Sequence, residues 1–184
     1  MTNDKVMTKE MIERLYEYDF PDNWWDCTAI DKEALDFAEN YEAEDCLELE
    51  GEMLEDNIPP TLGDGTAAAL KPYKNQIEIA VKELPESAAR ILAERRYDTQ
   101  ICIPELTLPL AKILCKTKTE DQFSLGFENP ISDQIVELFC ANLKCHFFYC
   151  STETLTEKQL KMLNGQDLTK AERAAMFMFN RDKE

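Results

Sequence analysis

The chain has 184 residues, of which 44 % are hydrophobic and 31 % charged, and a formal net charge of −17 at pH 7. That composition belongs to a globular protein rather than a disordered one, and five glycines are too few for a β-sandwich or propeller with many tight turns. No apolar run approaches the ~20 residues needed to cross a bilayer and no secretory signal opens the chain, so a soluble, cytoplasmic protein is expected.

In chain order, Thr8 is placed to cap a helix over residues 8–18, with Met11, Ile12, Leu15 and Tyr16 at helical spacing. Phe20-Pro21-Asp22-Asn23 ends it. The adjacent Trp24 and Trp25 have two readings: a wedge that holds the following segment on the body, or an anchor in an interface.

Residues 31–56 carry twelve carboxylates against one lysine. Residues 1–65 hold twenty acidic and four basic side chains, and the remainder seventeen and sixteen, so nearly all the excess lies in the first third. Charge this dense repels itself and opposes compaction, which a basic partner would turn to use. Asp31 reads as an N-cap, with Ile30 and Leu35 at the positions of a hydrophobic staple. A helix is expected to about residue 45, although Leu47-Glu48-Leu49-Glu50 alternates as a strand would. The candidate partner-binding residues are Asp36, Glu39, Glu42, Glu44, Asp45, Glu48, Glu50, Glu52, Glu55 and Asp56, with Trp24 and Trp25 beside them.

Two prolines and two glycines punctuate residues 57–65, a linker that places a boundary at about residue 60. Residues 1–60 form an acidic helical N-terminal subdomain on this reading, and 61–184 a near-neutral α+β body. Residues 66–84 read as helical, interrupted by Pro72, with Ile77, Val81 and Leu84 as the apolar face. Helices follow over 85–96, 110–116 and 132–142, and strands over 99–103, 123–127 and 145–150. Thr156–Gln159 and Thr169–Glu172 are capping boxes that open two helices, a closing hairpin. The fold class is α+β, mainly helical, with helices packed around a small sheet and an acidic N-terminal helical segment.

The search for chemistry returns no phosphate-cradling glycine loop, nucleophile elbow or zinc-binding helix, and the single histidine limits acid–base catalysis. Cys140, Cys145, His146 and Cys150 are soft ligands at poor spacing for zinc, and seven cysteines in a reducing compartment are simplest as buried small hydrophobes. No catalytic residues, metal or cofactor are expected. Carboxylates on successive helical turns form a ladder of charge that imitates phosphates and can occupy a basic groove. In this general character, an acidic segment over residues 31–56 with no catalytic motif, the chain resembles the acidic anti-CRISPR and antirestriction inhibitors of phages and mobile elements. The resemblance implies a non-enzymatic inhibitor that binds a basic nucleic-acid-binding protein, a Cas9-type effector first among the candidates, without binding nucleic acid or membrane. The other reading is an immunity protein or general protein-binding module that uses the acidic face for partner specificity.

Overall fold

The computed structural model describes residues 5–17, 19, 24–49, 60–120, 123–142, 145–147 and 155–164. The protein is α+β and mainly helical, as its sequence predicts. Its body is a five-stranded sheet in which every strand is parallel and the spatial order follows the chain: β3 (Leu47–Leu49), β4 (Ile77–Ala80), β5 (Thr99–Cys102), β6 (Phe123–Gly126) and β7 (Cys145–Phe147). Between and after them run α3 (Asp64–Leu70), α4 (Glu86–Ala93), α5 (Leu108–Leu114), α6 (Asp133–Cys140) and α7 (Glu157–Asn164). Sequential parallel strands joined by right-handed crossovers place all their helices on one side of the sheet. Each helix packs on the next, and the result is a short solenoid of strand–helix units.

Register shows the repeat. Ile77, Thr99, Phe123 and Cys145 are partners across the ladder, at intervals of 22, 24 and 22 residues. The buried set recurs with them. Ile77, Ile79, Val81, Leu84, Ala88, Ala89 and Leu92 in one unit correspond to Thr99, Ile101, Ile103, Leu106, Leu110, Ala111 and Leu114 in the next. The third unit supplies Phe123, Leu125, Phe127, Ile131, Ile135, Val136 and Phe139. In each unit two strand residues, the turn below them and one helix face are buried, and strands and helices of adjoining units pack side by side, so no unit closes its core alone.

The structure bears on four points of the sequence reading. Residues 77–84 are not a helical face. The alternation Ile77-Glu78-Ile79-Ala80 is a central strand, because pairing on both edges with β3 and β5 outweighs an equally legible 77/81/84 spacing. The helix from Asp31, α2 (Lys32–Asn40), stops short of residue 45. Tyr41 turns extended there and puts its ring among Tyr16, Phe37 and Tyr73, at centroid distances of 4.8, 5.7 and 6.1 Å. Leu47–Leu49 is strand, as its alternation hinted. The stretch read as a linker is anchored where it is described: the Gly63 N–H donates to the Trp25 carbonyl at 2.6 Å, and Thr61 bridges to Glu83. Contacts therefore cross residue 60, and β3 and β4 share one sheet. The second capping box and its helix over 169–179 lie outside the described residues.

The N-terminal segment covers the first end of the solenoid. Two residues of β1 (Val6–Met7) pair in parallel with β2 (Ala29–Ile30), flanking α1 (Lys9–Tyr16). Thr8 caps α1 by accepting from the Met11 N–H, and Asp31 caps α2 by accepting from Ala34 at 2.7 Å. Tyr16 donates its hydroxyl to the Ala69 carbonyl, which ties α1 to α3, and burial pushes that phenol's pKa well above its ordinary value.

Candidate functional site

Two surfaces adjoin at the β3 end. The first is the acidic edge. Asp36 and Glu39 stand on α2, Glu42, Glu44 and Asp45 on the segment after it, and Glu48 on β3, all exposed. Glu42 reaches Lys74 at 3.5 Å, and the other five make no ion pair among the described residues. Their segment is nevertheless held. Asn75 Nδ2 donates to the Glu44 carbonyl at 3.0 Å, and the Tyr73 hydroxyl donates to the Asp45 carbonyl at 3.0 Å. The backbone is fixed to the body while its carboxylates point to water, which lowers the ordering cost of binding.

The second surface is the sheet face opposite the helices. Parallel sheets are ordinarily covered on both faces. Here the residues between the buried ones form a polar row across the ladder, Glu48, Glu78, Gln100 and Ser124, whose next register position is His146. The row deepens along its length, from exposed Glu48 through half-buried Glu78 and Gln100 to buried Ser124. Beside it Ala80, Cys102 and Gly126 align as small residues. A cleft of about 60 Å³ lined by Gln76, Asp98, Thr99, Gln100 and Ser124 opens next to the row.

Behind the acidic edge, and tied to it through Tyr73 and Asn75, lies Arg95, 1 % exposed. Its guanidinium donates to the carbonyls of Leu70 at 2.9 Å and Tyr73 at 2.5 Å, to that of Asn75, and to the Thr99 hydroxyl at 3.0 Å. Burial lowers its pKa to about 10. The group serves the turn between α3 and β4, and so positions Tyr73 and Asn75, the two residues that hold the acidic segment.

The sequence-predicted residues are thus partly assembled. Asp36, Glu39, Glu42, Glu44, Asp45 and Glu48 share one end of the molecule, but on a helix, a loop and a strand instead of one helical ladder. Glu50, Glu52, Glu55 and Asp56 lie outside the described residues. Trp24 is buried and packs edge-on to half-buried Trp25 at 6.0 Å, so Trp24 is core and only Trp25 offers surface. Sequence reasoning missed Glu78, Gln100 and Ser124. The signal was the recurrence of two buried residues around one polar residue every 22 to 24 positions. Cys145, His146 and Cys150 fall where side chains are not described, and among the described residues no group of three or more metal-ligating side chains converges. No helix among them is long and apolar enough to cross a membrane.

No family model, curated protein or solved structure matches this chain.

Proposed function

We propose that this protein is a non-enzymatic binding module for a basic partner protein, and that it acts as an inhibitor by occupying the partner's nucleic-acid-binding groove. One observation carries the reading: five exposed carboxylates that make no ion pair among the described residues share one end of a solenoid, with Glu44 and Asp45 on a segment pinned by Asn75 and Tyr73. Solenoids present extended surfaces to macromolecules instead of enclosing substrates. Opposite charge steers encounter and rejects wrong partners. A groove built to neutralise phosphates supplies the lysines and arginines that such an edge engages. A Cas9-type effector has a groove of that kind, and a cytoplasmic location belongs to the same reading. The wider alternative keeps the basic partner but not the groove, as for an immunity protein against a basic toxin.

The test is a quadruple variant, D36N/E39Q/E44Q/D45N, beside the parent chain. A purified basic partner captured from host cells should associate more slowly with the variant, with a shallower salt dependence, while folding is kept. Double-stranded DNA should compete with the parent chain for that partner. Unchanged association rate and salt slope would overturn the acidic edge as the binding surface. Retained binding in saturating DNA would leave the wider alternative and remove groove occupancy.

A further inference from the structure

Four consecutive residues of the turn before β4 reach four points along the chain that bears the acidic edge. Lys74 Nζ lies 3.5 Å from the Glu42 carboxylate, and Asn75 Nδ2 donates to the Glu44 carbonyl at 3.0 Å. The Tyr73 hydroxyl donates to the Asp45 carbonyl at 3.0 Å, and the Gln76 carbonyl accepts from the Leu47 N–H at 2.9 Å. The turn is itself fixed. Asn75 Oδ1 accepts from the Gln76 N–H at 2.8 Å, which leaves Nδ2 aimed at Glu44. The Tyr73 ring is buried and sits edge-on to Tyr16 at 4.7 Å. Arg95, a guanidinium withdrawn from water at a cost in hydration, holds the carbonyls of Tyr73 and Asn75 from behind.

We infer that this edge reads a folded partner whose basic groups are fixed in place, not a flexible polybasic segment, and that Tyr73 and Asn75 are the positioning residues that set its shape. Both act through the backbone of Glu44 and Asp45, whose side chains stay exposed. Attraction by itself needs no such clasp. Charge acts over a Debye length whatever the backbone does, and a flexible polycation moulds itself to carboxylates in any arrangement. Disordered acidic tails serve that purpose without a fold. Carboxylates on a fixed backbone gain most where the partner's cations are fixed as well, since neither side then loses much freedom on binding. The inference rests on the function proposed above and deepens it by naming the class of basic partner.

Two probes separate the classes: a deca-lysine peptide, which is a flexible polycation, and a guide-free Cas9-type effector, which is folded around a basic channel. Surface plasmon resonance measures each against the full chain, Tyr73→Phe/Asn75→Ala, Asn75→Ala alone and the D36N/E39Q/E44Q/D45N variant. The two clasp variants keep every carboxylate, so association rates and their salt slopes should stay at the parent's values. Dissociation of the effector from the double variant should quicken about tenfold, while deca-lysine affinity should change by less than about twofold. The charge variant should instead slow the association of both probes. Hydrogen exchange in the clasp variants should be faster across residues 42–47 and unchanged across 99–102, which shows the segment released and the fold kept. Asn75→Ala alone carries the test if the double variant melts early. An equal effect on the two probes, unchanged effector dissociation or unchanged exchange across 42–47 would overturn the inference and leave the basic-partner reading intact. So would tighter binding of deca-lysine than of the effector by the parent. Failure of both probes to bind the parent would overturn both.

Discussion

At the scale of single residues, Arg95 and two glycines set the framework on which the surfaces rest. Replacing Arg95 by methionine would strand the carbonyls of Tyr73 and Asn75, each costing ~1 kcal/mol or more when left without a donor, while that of Leu70 keeps the Tyr73 N–H. Denaturant unfolding of Arg95→Met should therefore show a loss of at least ~2 kcal/mol. Arg95→Lys should recover little of it, because an ammonium cannot span donors spread over that fork. Gly63 and Gly65 are needed for a different reason. A Cβ on Gly63 would collide with the Cys27 carbonyl, and one on Gly65 with the Ala29 carbonyl, both backbone atoms that cannot rotate away. Gly63→Ala and Gly65→Ala should each lower stability by ~1–3 kcal/mol, the cost of overpacking. Loss below 0.5 kcal/mol in thermal unfolding would mean that α3 and the strand before α2 are not held this closely.

At the scale of elements, the α6–α7 junction rests on Gln159. Its side chain accepts from the Thr156 N–H at 2.9 Å and donates to the Ile131 carbonyl at 2.8 Å, while the Thr156 hydroxyl accepts from the Gln159 N–H at 3.2 Å. This is the reciprocal capping box that the sequence predicts, with two added bonds, to the Ile131 carbonyl and to Asp133 Oδ1 at 3.0 Å, that dock the helix onto its neighbour. Gln159→Ala should cost ~2 kcal/mol, more than an exposed cap alone, by denaturant unfolding. Alongside it Lys158 and Asp133 pair at 2.5 Å. The Lys158 bond lowers the Asp133 pKa, and the same bond raises that of Lys158. The sign follows from each shift. Asp133's contribution is present above the ordinary carboxylate pKa and lost as pH falls through its lower folded value. That of Lys158 is present below its ordinary pKa and lost as pH rises through its higher one. The difference in melting temperature between parent and Asp133→Asn should thus be largest near neutral pH and vanish in strong acid. A difference independent of pH would show that the pair contributes nothing through its charge.

At the scale of the whole molecule, charge and capping govern behaviour. Salt should stabilise the protein, since the Debye length shortens to ~10 Å at 0.1 M and screens an excess of −17 that lies almost wholly in one third of the chain. Raising sodium chloride from 0.01 to 0.3 M should increase the melting temperature, and an unchanged or lower value would show that the acidic edge is not under strain. A chain beginning at residue 61 should aggregate, because α1, α2 and the aromatic group around Tyr16 cover Tyr73 and the α3 face that the first repeat leaves open. A monomeric, cooperatively folding product would instead establish residues 1–60 as a separable subdomain. What the sequence determined was local. Caps at Thr8, Asp31 and Thr156, Pro85 before α4, and the strands at 99–102 and 123–126 follow from side-chain chemistry that acts within a few residues. The concentration of charge before residue 65 is likewise written in composition. Only tertiary structure decided that Ile77–Ala80 is a strand, that α2 yields to Tyr41, and that Glu48, Glu78, Gln100 and Ser124 meet in a row. The physical reason is the same in each case. A residue's partner lies 22 to 32 positions away, so the choice rests on pairing and burial across repeats, which short-range periodicity does not contain.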